Sequence, residues 1–519
     1  MSEHTSRRLF LGATGAGAAA VMLGTGTWGA PDVWAAPTSD YPFTLGVASG
    51  DPLPDGVVLW TRLAPDPLAE DGHGGMGNQK VPVRYQVAED EAFSTVVRSG
   101  TVIASPELAH SVHPEVSGLQ PDREYFYRFS AGGEISPVGR TRTAPARNAA
   151  LDELTFVFAS CQSYEGGLYT AYQHMAAEDL DLVVHLGDYI YEESYVEDPQ
   201  FHDGGALPDH LLTECTTLER YRTQYGLYKS DQHLQAAHQQ FPWLFTFDDH
   251  EVHNNWKGGI DRDDEELART AAGFQAMYEN LPLRSTQRPD GPDIQIYRKL
   301  QYGSLADFTL LDSHSFRNAS SQEQRFDPDI TNLGAEQRDW LIDGFSDSTA
   351  QWQVIGNQQP MGEFDRDPDP EVKRLTSSWD LYALERQTIL QAARDRDVDN
   401  LVVITGDRHA NHVLDLLTDY DHPDEAELVG AEFVGTSLSS NGDGADTSPV
   451  GEDLLKGNPH LKFYNYQRGY SRVTLTQESF TNEFMVLPYV SEPDSPIELR
   501  ARYVVEDGVP GAVEDTISR

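Results

Sequence analysis

Four short apolar runs in this chain each close on side chains that can ligate a metal. They are Phe156-Val157-Phe158-Ala159-Ser160-Cys161, Leu182-Val183-Val184-His185-Leu186-Gly187-Asp188-Tyr189-Ile190-Tyr191, Leu244-Phe245-Thr246-Phe247-Asp248-Asp249-His250-Glu251 and Leu401-Val402-Val403-Ile404-Thr405-Gly406-Asp407-Arg408-His409. Runs of this length, rich in β-branched and aromatic residues, read as strands buried on both faces. Open α/β sheets carry their functional residues where strands end and loops begin. The expectation is that the four ends meet on one rim of a sheet and form a metal site.

The donors have distinct chemistries. A carboxylate at the position of Asp188 can bridge two cations, one oxygen each, and Tyr191 can reach the same site across the turn. Phenolate is a hard anionic ligand suited to Fe³⁺, whereas zinc sites favour Cys and His. Cys161 adds a second anionic donor and His409 a neutral one. Asp249 and Asp407 leave a second position lined by carboxylate oxygen, which suits Ca²⁺, Mg²⁺ or Mn²⁺. Two such cations clamp a phosphate and acidify a water, so a metal-bound hydroxide is the expected nucleophile and a phosphate ester the expected substrate. His250, beside Asp249, is placed to protonate the leaving oxygen. No nucleophile elbow or P-loop sequence competes with this reading. Taken singly, an Asp after Gly is more often a turn residue, and His185, in mid-run, belongs to a core.

The charge balance narrows the partners. Acidic residues outnumber basic ones 83 to 38, for a formal net charge of −45. Such a field disfavours nucleic acid and anionic membranes, and repels phosphate esters unless bound cations reverse it locally. The bias fits either genomic base composition or a saline habitat. Residues 1–35 read as an export signal: Arg7-Arg8-Leu9-Phe10 precedes a small, weakly apolar stretch, and Val33-Trp34-Ala35 offers a cleavage site. Adjacent arginines in that setting resemble the twin-arginine route, whose export machinery carries folded proteins, so a secreted, extracytoplasmic enzyme is expected. No later segment is long and apolar enough to span a membrane. Of the two cysteines, Cys161 is expected as a ligand rather than as the disulfide partner of Cys215, which is placed in a polar helical stretch.

Residues 40–145 read as an all-β module, with period-two alternation in Val81–Val87 and Glu124–Phe129. Leu119–Tyr125 resembles the turn and strand of fibronectin-type sandwiches. Residues 152–505 alternate strands with helices at Glu214–Tyr228, Asp231–His238 and Ala383–Arg394, which gives an α/β fold class. Residues 506–519 read as a polar, frayed tail.

Beyond single residues, the chain resembles the PhoD-type alkaline phosphatases, secreted relatives of the calcineurin-like and purple-acid-phosphatase-like metallophosphoesterases. The resemblance rests on Gly46–Pro52, Val58–Arg62, Ala159–Gln162, Gly187–Glu192, Tyr228–Asp231, Asp248–Val252 with Asn254 and Asn255, Leu311-Asp312, Gly406–His409, Asn458–Phe463 and Arg468–Tyr470. It implies a four-layer αββα sandwich after a fibronectin- or Ig-like domain, and a monomeric alkaline phosphatase. Phosphodiesterase or phospholipase D-like action on the same site is the alternative, and a non-catalytic binding protein a third. It implies Fe³⁺ on Cys161, Asp188, Tyr191 and His409, one or two Ca²⁺ near Asp188, Asp249 and Asp407, support from Asn254 and Asn255, and a substrate contact from Arg468. His314, where the family pattern has Arg, and Tyr189, where some relatives carry a basic residue, depart from it.

Overall fold

The structure is a computed structural model that describes residues 40–195, 206–369, 372–375 and 378–518. The expected export signal, residues 1–35, lies outside the described residues.

Three sheets organise the described chain. The largest runs in the order Val513–Ile517, Glu498–Glu506, Ser479–Leu487, Arg468–Thr476, Glu153–Ala159, Leu182–His185, Pro242–Phe245, Val47–Leu53, Gly56–Arg62 and Ser111–Val112, with Glu115–Ser117 also on Gly56–Arg62. The second is ordered Arg298–Tyr302, Ala306–Leu310, Trp352–Asn357, Leu401–Thr405, Leu428–Val434, Asn411–Leu417 and Leu461–Asn465. Each has a parallel centre: 153–159, 182–185, 242–245 and 47–53 in the first, and 306–310, 352–357, 401–405 and 428–434 in the second.

Both faces of these central strands are buried, as continuous apolar runs require. Alternate residues divide between cores. Phe156, Phe158, Leu182 and Val184 share one cluster with Phe308, Val354, Val402 and Ile404 of the second sheet. Val157, Val183 and Trp243 turn instead to a cluster holding Tyr221, Tyr225, Leu234, Phe274 and Met277 from helices Leu218–Lys229, Gln232–Gln240 and Asp264–Asn280. Ile355 and Val403 pack against Leu341, Ile389 and Leu390 of helices Gly334–Asp347 and Ala383–Asp395. The sheets are also joined near the strand ends, where Thr246 Oγ1 donates to the Leu311 carbonyl at 2.9 Å and Gln358 Nε2 donates to Thr246 Oγ1 at 2.6 Å.

The region 40–145 is all-β, but its strands divide. Val81–Ala88, Val96–Ala104, Glu124–Ala131, Glu134–Ile135 and Gly139–Arg142 form the third sheet. Val47–Leu53 joins the largest sheet by parallel pairing with Pro242–Phe245. The Tyr125 hydroxyl accepts from the Gln120 amide at 2.9 Å, tying the turn to the start of strand Glu124–Ala131.

Two local expectations change. The helix expected at Glu214–Tyr228 starts at Leu218, because the Thr217 side chain caps it, so Cys215 lies in the segment before it, buried between exposed neighbours. Residues 513–517 are not frayed: they form an edge strand on Glu498–Glu506, since ladder pairing uses backbone groups and tolerates exposed polar side chains. Both cysteines are free and buried. Among the described residues, no helix is long and apolar enough to cross a membrane.

Candidate active site

The four run ends converge, although not on one sheet rim. Cys161, Asp188 and Asp249 follow strands of the largest sheet, while Asp407 and His409 follow Leu401–Thr405 of the second. Parallel strands in both sheets aim their carboxyl ends at the same place, and residues 160 and 437 form a bridge between the sheets there.

The backbone at these corners is unusual. Cys161, Asp188, Asp407 and His409 have φ of 61°, 53°, 64° and 52°. Left-handed conformation in non-glycine residues costs on the order of 1 kcal/mol each and is held only where the surroundings over-determine it. Gly187, at φ 109°, is required by close approach: a Cβ there would collide with the Asp248 backbone. The two loops are strapped by buried Glu251. Its Oε2 accepts from the Asp188 and Asp248 amides at 3.0 and 2.7 Å, and its Oε1 accepts from the Tyr189 amide at 2.6 Å.

Ligand atoms of Cys161, Asp188 and His409 lie within 4.8 Å of one another, as do those of Asp188, Asp249 and His250, and of Asp248, Asp249 and His314. Tyr191 closes the first group: its hydroxyl donates to Asp188 Oδ2 at 3.0 Å and stands 3.0 Å from His409 Nε2. Asp188 thus belongs to two neighbouring groups.

Burial is what makes this donor set demand positive charge. It pushes the Cys161 thiol, the Tyr191 phenol and the Asp188 and Asp248 carboxyls well up, with neighbouring acids adding to the effect. Burial and Asp248 raise Asp407 to about 7. Burial and then Arg468 hold His409 down at about 3, so its imidazole is neutral, as a metal ligand must be. Asp188 Oδ1 and Asp248 Oδ2 are buried without a hydrogen-bond partner. Orphaned carboxylate oxygens among thiol, phenol and imidazole fit cations better than any protein partner.

Beside the carboxylates, His250 is held through Nδ1, 2.6 Å from Glu192 Oε2, and its ring lies 4.2 Å from that of Tyr191. Burial alone would lower His250, but Asp188, Glu192 and Asp249 raise it to about 11. A cation among those carboxylates would cancel part of that field. Asn254 and Asn255 are exposed on the rim; their amides donate to Glu192 Oε1, at 2.7 Å, and to Asp249 Oδ2.

Arg468, expected to contact substrate, is fully buried instead. It donates to the His409 carbonyl at 2.8 Å, Ser437 Oγ at 2.6 Å and the Tyr466 carbonyl at 2.6 Å, bracing the His409 loop from behind. Tyr189 also faces inward: its hydroxyl meets His238 Nε2 at 2.7 Å and Lys229 Nζ at 3.4 Å. His314 is buried with Nε2 2.5 Å from Asp248 Oδ1. Glu192, Glu251 and Asp248 stood within the motifs but carried no assigned role, because what they hold comes from other loops.

A corner of strained, carboxylate-rich loops at the ends of parallel strands defines a hydrolase site, and comparison with known proteins names its kind. Residues 156–484 match the model of the PhoD-like phosphatase family, and residues 29–145 match that of the PhoD-like phosphatase N-terminal domain. The chain belongs to this family. It is similar to alkaline phosphatase D of Bacillus subtilis (strain 168), with 45% identity over 491 residues, 92% of this chain and 83% of that one. A solved structure of PhoD superposes with a TM-score of 0.87 at 45% identity, covering 93% of this chain and 94% of that one. The protein is therefore a phosphoric ester hydrolase with the PhoD fold.

Proposed function

We propose that this protein is an exported, metal-dependent alkaline phosphatase that hydrolyses phosphate monoesters as a monomer. Its architecture is read as an αββα four-layer sandwich, supported by the core shared between the sheets and the helices packed on their other faces. The observation that carries the metal reading is the meeting of Tyr191, Asp188, His409 and Cys161 from three separate loops.

On this reading Cys161, Asp188, Tyr191 and His409 hold Fe³⁺, and Asp188, Asp249 and Asp407 hold Ca²⁺. Bound there, the ions would supply the positive charge that attracts the phosphoryl oxygens and acidifies a water molecule. His250, its ring fixed by Glu192, gives a proton to the ester oxygen as its bond to phosphorus breaks. Exposed Asn254 and Asn255 lie on the rim, where side-chain amides can donate to the phosphoryl group. The buried strands keep the donors rigid, so little reorganisation accompanies the reaction. The expected export signal in residues 1–35 would carry the chain, folded and loaded, out of the cytoplasm.

The test compares turnover of p-nitrophenyl phosphate and bis(p-nitrophenyl) phosphate by the mature protein supplied with iron and calcium. The expected result is a dominant monoester rate that strong chelation abolishes and the metals restore. A dominant diester rate would overturn the monoesterase reading, and full activity after chelation the metal reading.

A further inference from the structure

The loop after strand Leu428–Val434 reaches three of the proposed iron-ligand residues, Tyr191, Cys161 and His409, with two consecutive residues. Ser440 Oγ stands 2.8 Å from the Tyr191 phenol oxygen and 2.8 Å from the Cys161 carbonyl, and accepts from the Ser163 amide at 3.0 Å. Asn441 Nδ2 stands 2.7 Å from His409 Nδ1, on the side of the ring away from Tyr191. Ser440 is buried, and Asn441 adopts φ 70°, so the loop is held rather than free. Its backbone is tied to the first run as well, through the Ser440 amide, which donates to the Cys161 carbonyl at 3.4 Å.

We infer that Ser440 and Asn441 are positioning residues for the iron site, Ser440 setting the electron density on the Tyr191 oxygen and Asn441 the tautomer of His409. The inference rests on the iron reading above. Ser440 has one hydroxyl proton and two acceptors in reach. A phenolate takes that proton in preference to a neutral carbonyl, because charge-assisted hydrogen bonds are about twice as strong as neutral ones. An imidazole that coordinates through Nε2 carries its proton on Nδ1; with the Asn441 carboxamide rotated half a turn, Oδ1 takes the place of Nδ2 and accepts it. Ser440 therefore withdraws electron density from one ligand while Asn441 fixes the orientation of another.

The experiment uses the full mature chain loaded with ferric iron and calcium, and reads the visible phenolate-to-iron charge-transfer band. Ser440→Ala removes the donor, raises the phenolate lone pairs towards the iron orbitals, and is expected to move the band to longer wavelength. The iron reduction potential should fall in the same variant. Asn441→Ala, at an exposed position that leaves the core untouched, is expected to weaken iron retention against a competing chelator by about 10–100-fold. A wild-type band that neither variant moves, with iron retention unchanged in Asn441→Ala, overturns this inference and leaves the iron reading standing. No such band in iron-loaded wild type overturns both.

Discussion

The phenol oxygen of Tyr191 lies 3.0 Å from Nε2 of His409, 218 residues further along the chain. The contact joins the loop after strand Leu182–His185 to the loop after Leu401–Thr405, so it also joins the two larger sheets. Tyr191→Phe keeps the ring and removes only the oxygen. Iron content measured by elemental analysis should fall to background and turnover by 100-fold or more, as expected when one donor of a metal site is lost. The far-UV circular dichroism should not change. Retained iron with full turnover would remove Tyr191 from the site.

Glu251 accepts three backbone amides that belong to the Asp188 and Asp248 loops. In Glu251→Gln one oxygen becomes an NH₂ that must face a buried N–H donor. The expected loss of stability is about 1–3 kcal/mol, read from the urea midpoint, together with weaker metal retention as both loops loosen. An unchanged midpoint would mean that the loops are held elsewhere.

Arg468 offers a kinetic discrimination. As a brace on the His409 carbonyl, its replacement in Arg468→Met should lower kcat with KM held within about twofold, and cost roughly 3 kcal/mol for the acceptors left without a donor. A raised KM at unchanged kcat would place Arg468 in contact with the substrate.

Acid sensitivity follows from buried neutral histidines. Burial holds His185 down at about 3, against an ordinary value near 6.5. At pH 7 it is neutral folded or unfolded and has no effect. Between pH 6.5 and 3 the unfolded chain takes up the proton first, so folding weakens as pH falls. His185→Phe should be close to neutral at pH 7.5. At pH 4.5 it should be more stable than wild type by about 2–3 kcal/mol, at ~1.4 kcal/mol per pKa unit over two units. Equal denaturation midpoints for the two proteins at pH 4.5 would disprove it.

The strands and the polar side chains at their ends were legible in the sequence because both are local. A strand buried on two faces must be apolar at every position, so Phe156–Ala159, Leu182–His185 and Leu401–Thr405 declare themselves, and the donors follow within a few residues. The motif residues also pointed to the family that the comparisons show. What the sequence left open was which sheet each strand joins, and therefore which side chains meet. Arg468, Tyr189 and Ser440 illustrate the limit. An arginine in a motif reads as a substrate contact until its guanidinium is found on three acceptors of neighbouring loops. A tyrosine beside a ligand reads as facing the site until its hydroxyl is found on His238. Ser440, in a loop with no periodicity, carries no signal at all. Local chemistry by itself determined the strands and the side chains at their ends, and the motifs among them pointed to the family. Only the tertiary structure decided that two sheets share the site and which polar groups hold its ligands, because hydrogen bonds between loops hundreds of residues apart depend on packing and leave no pattern in sequence.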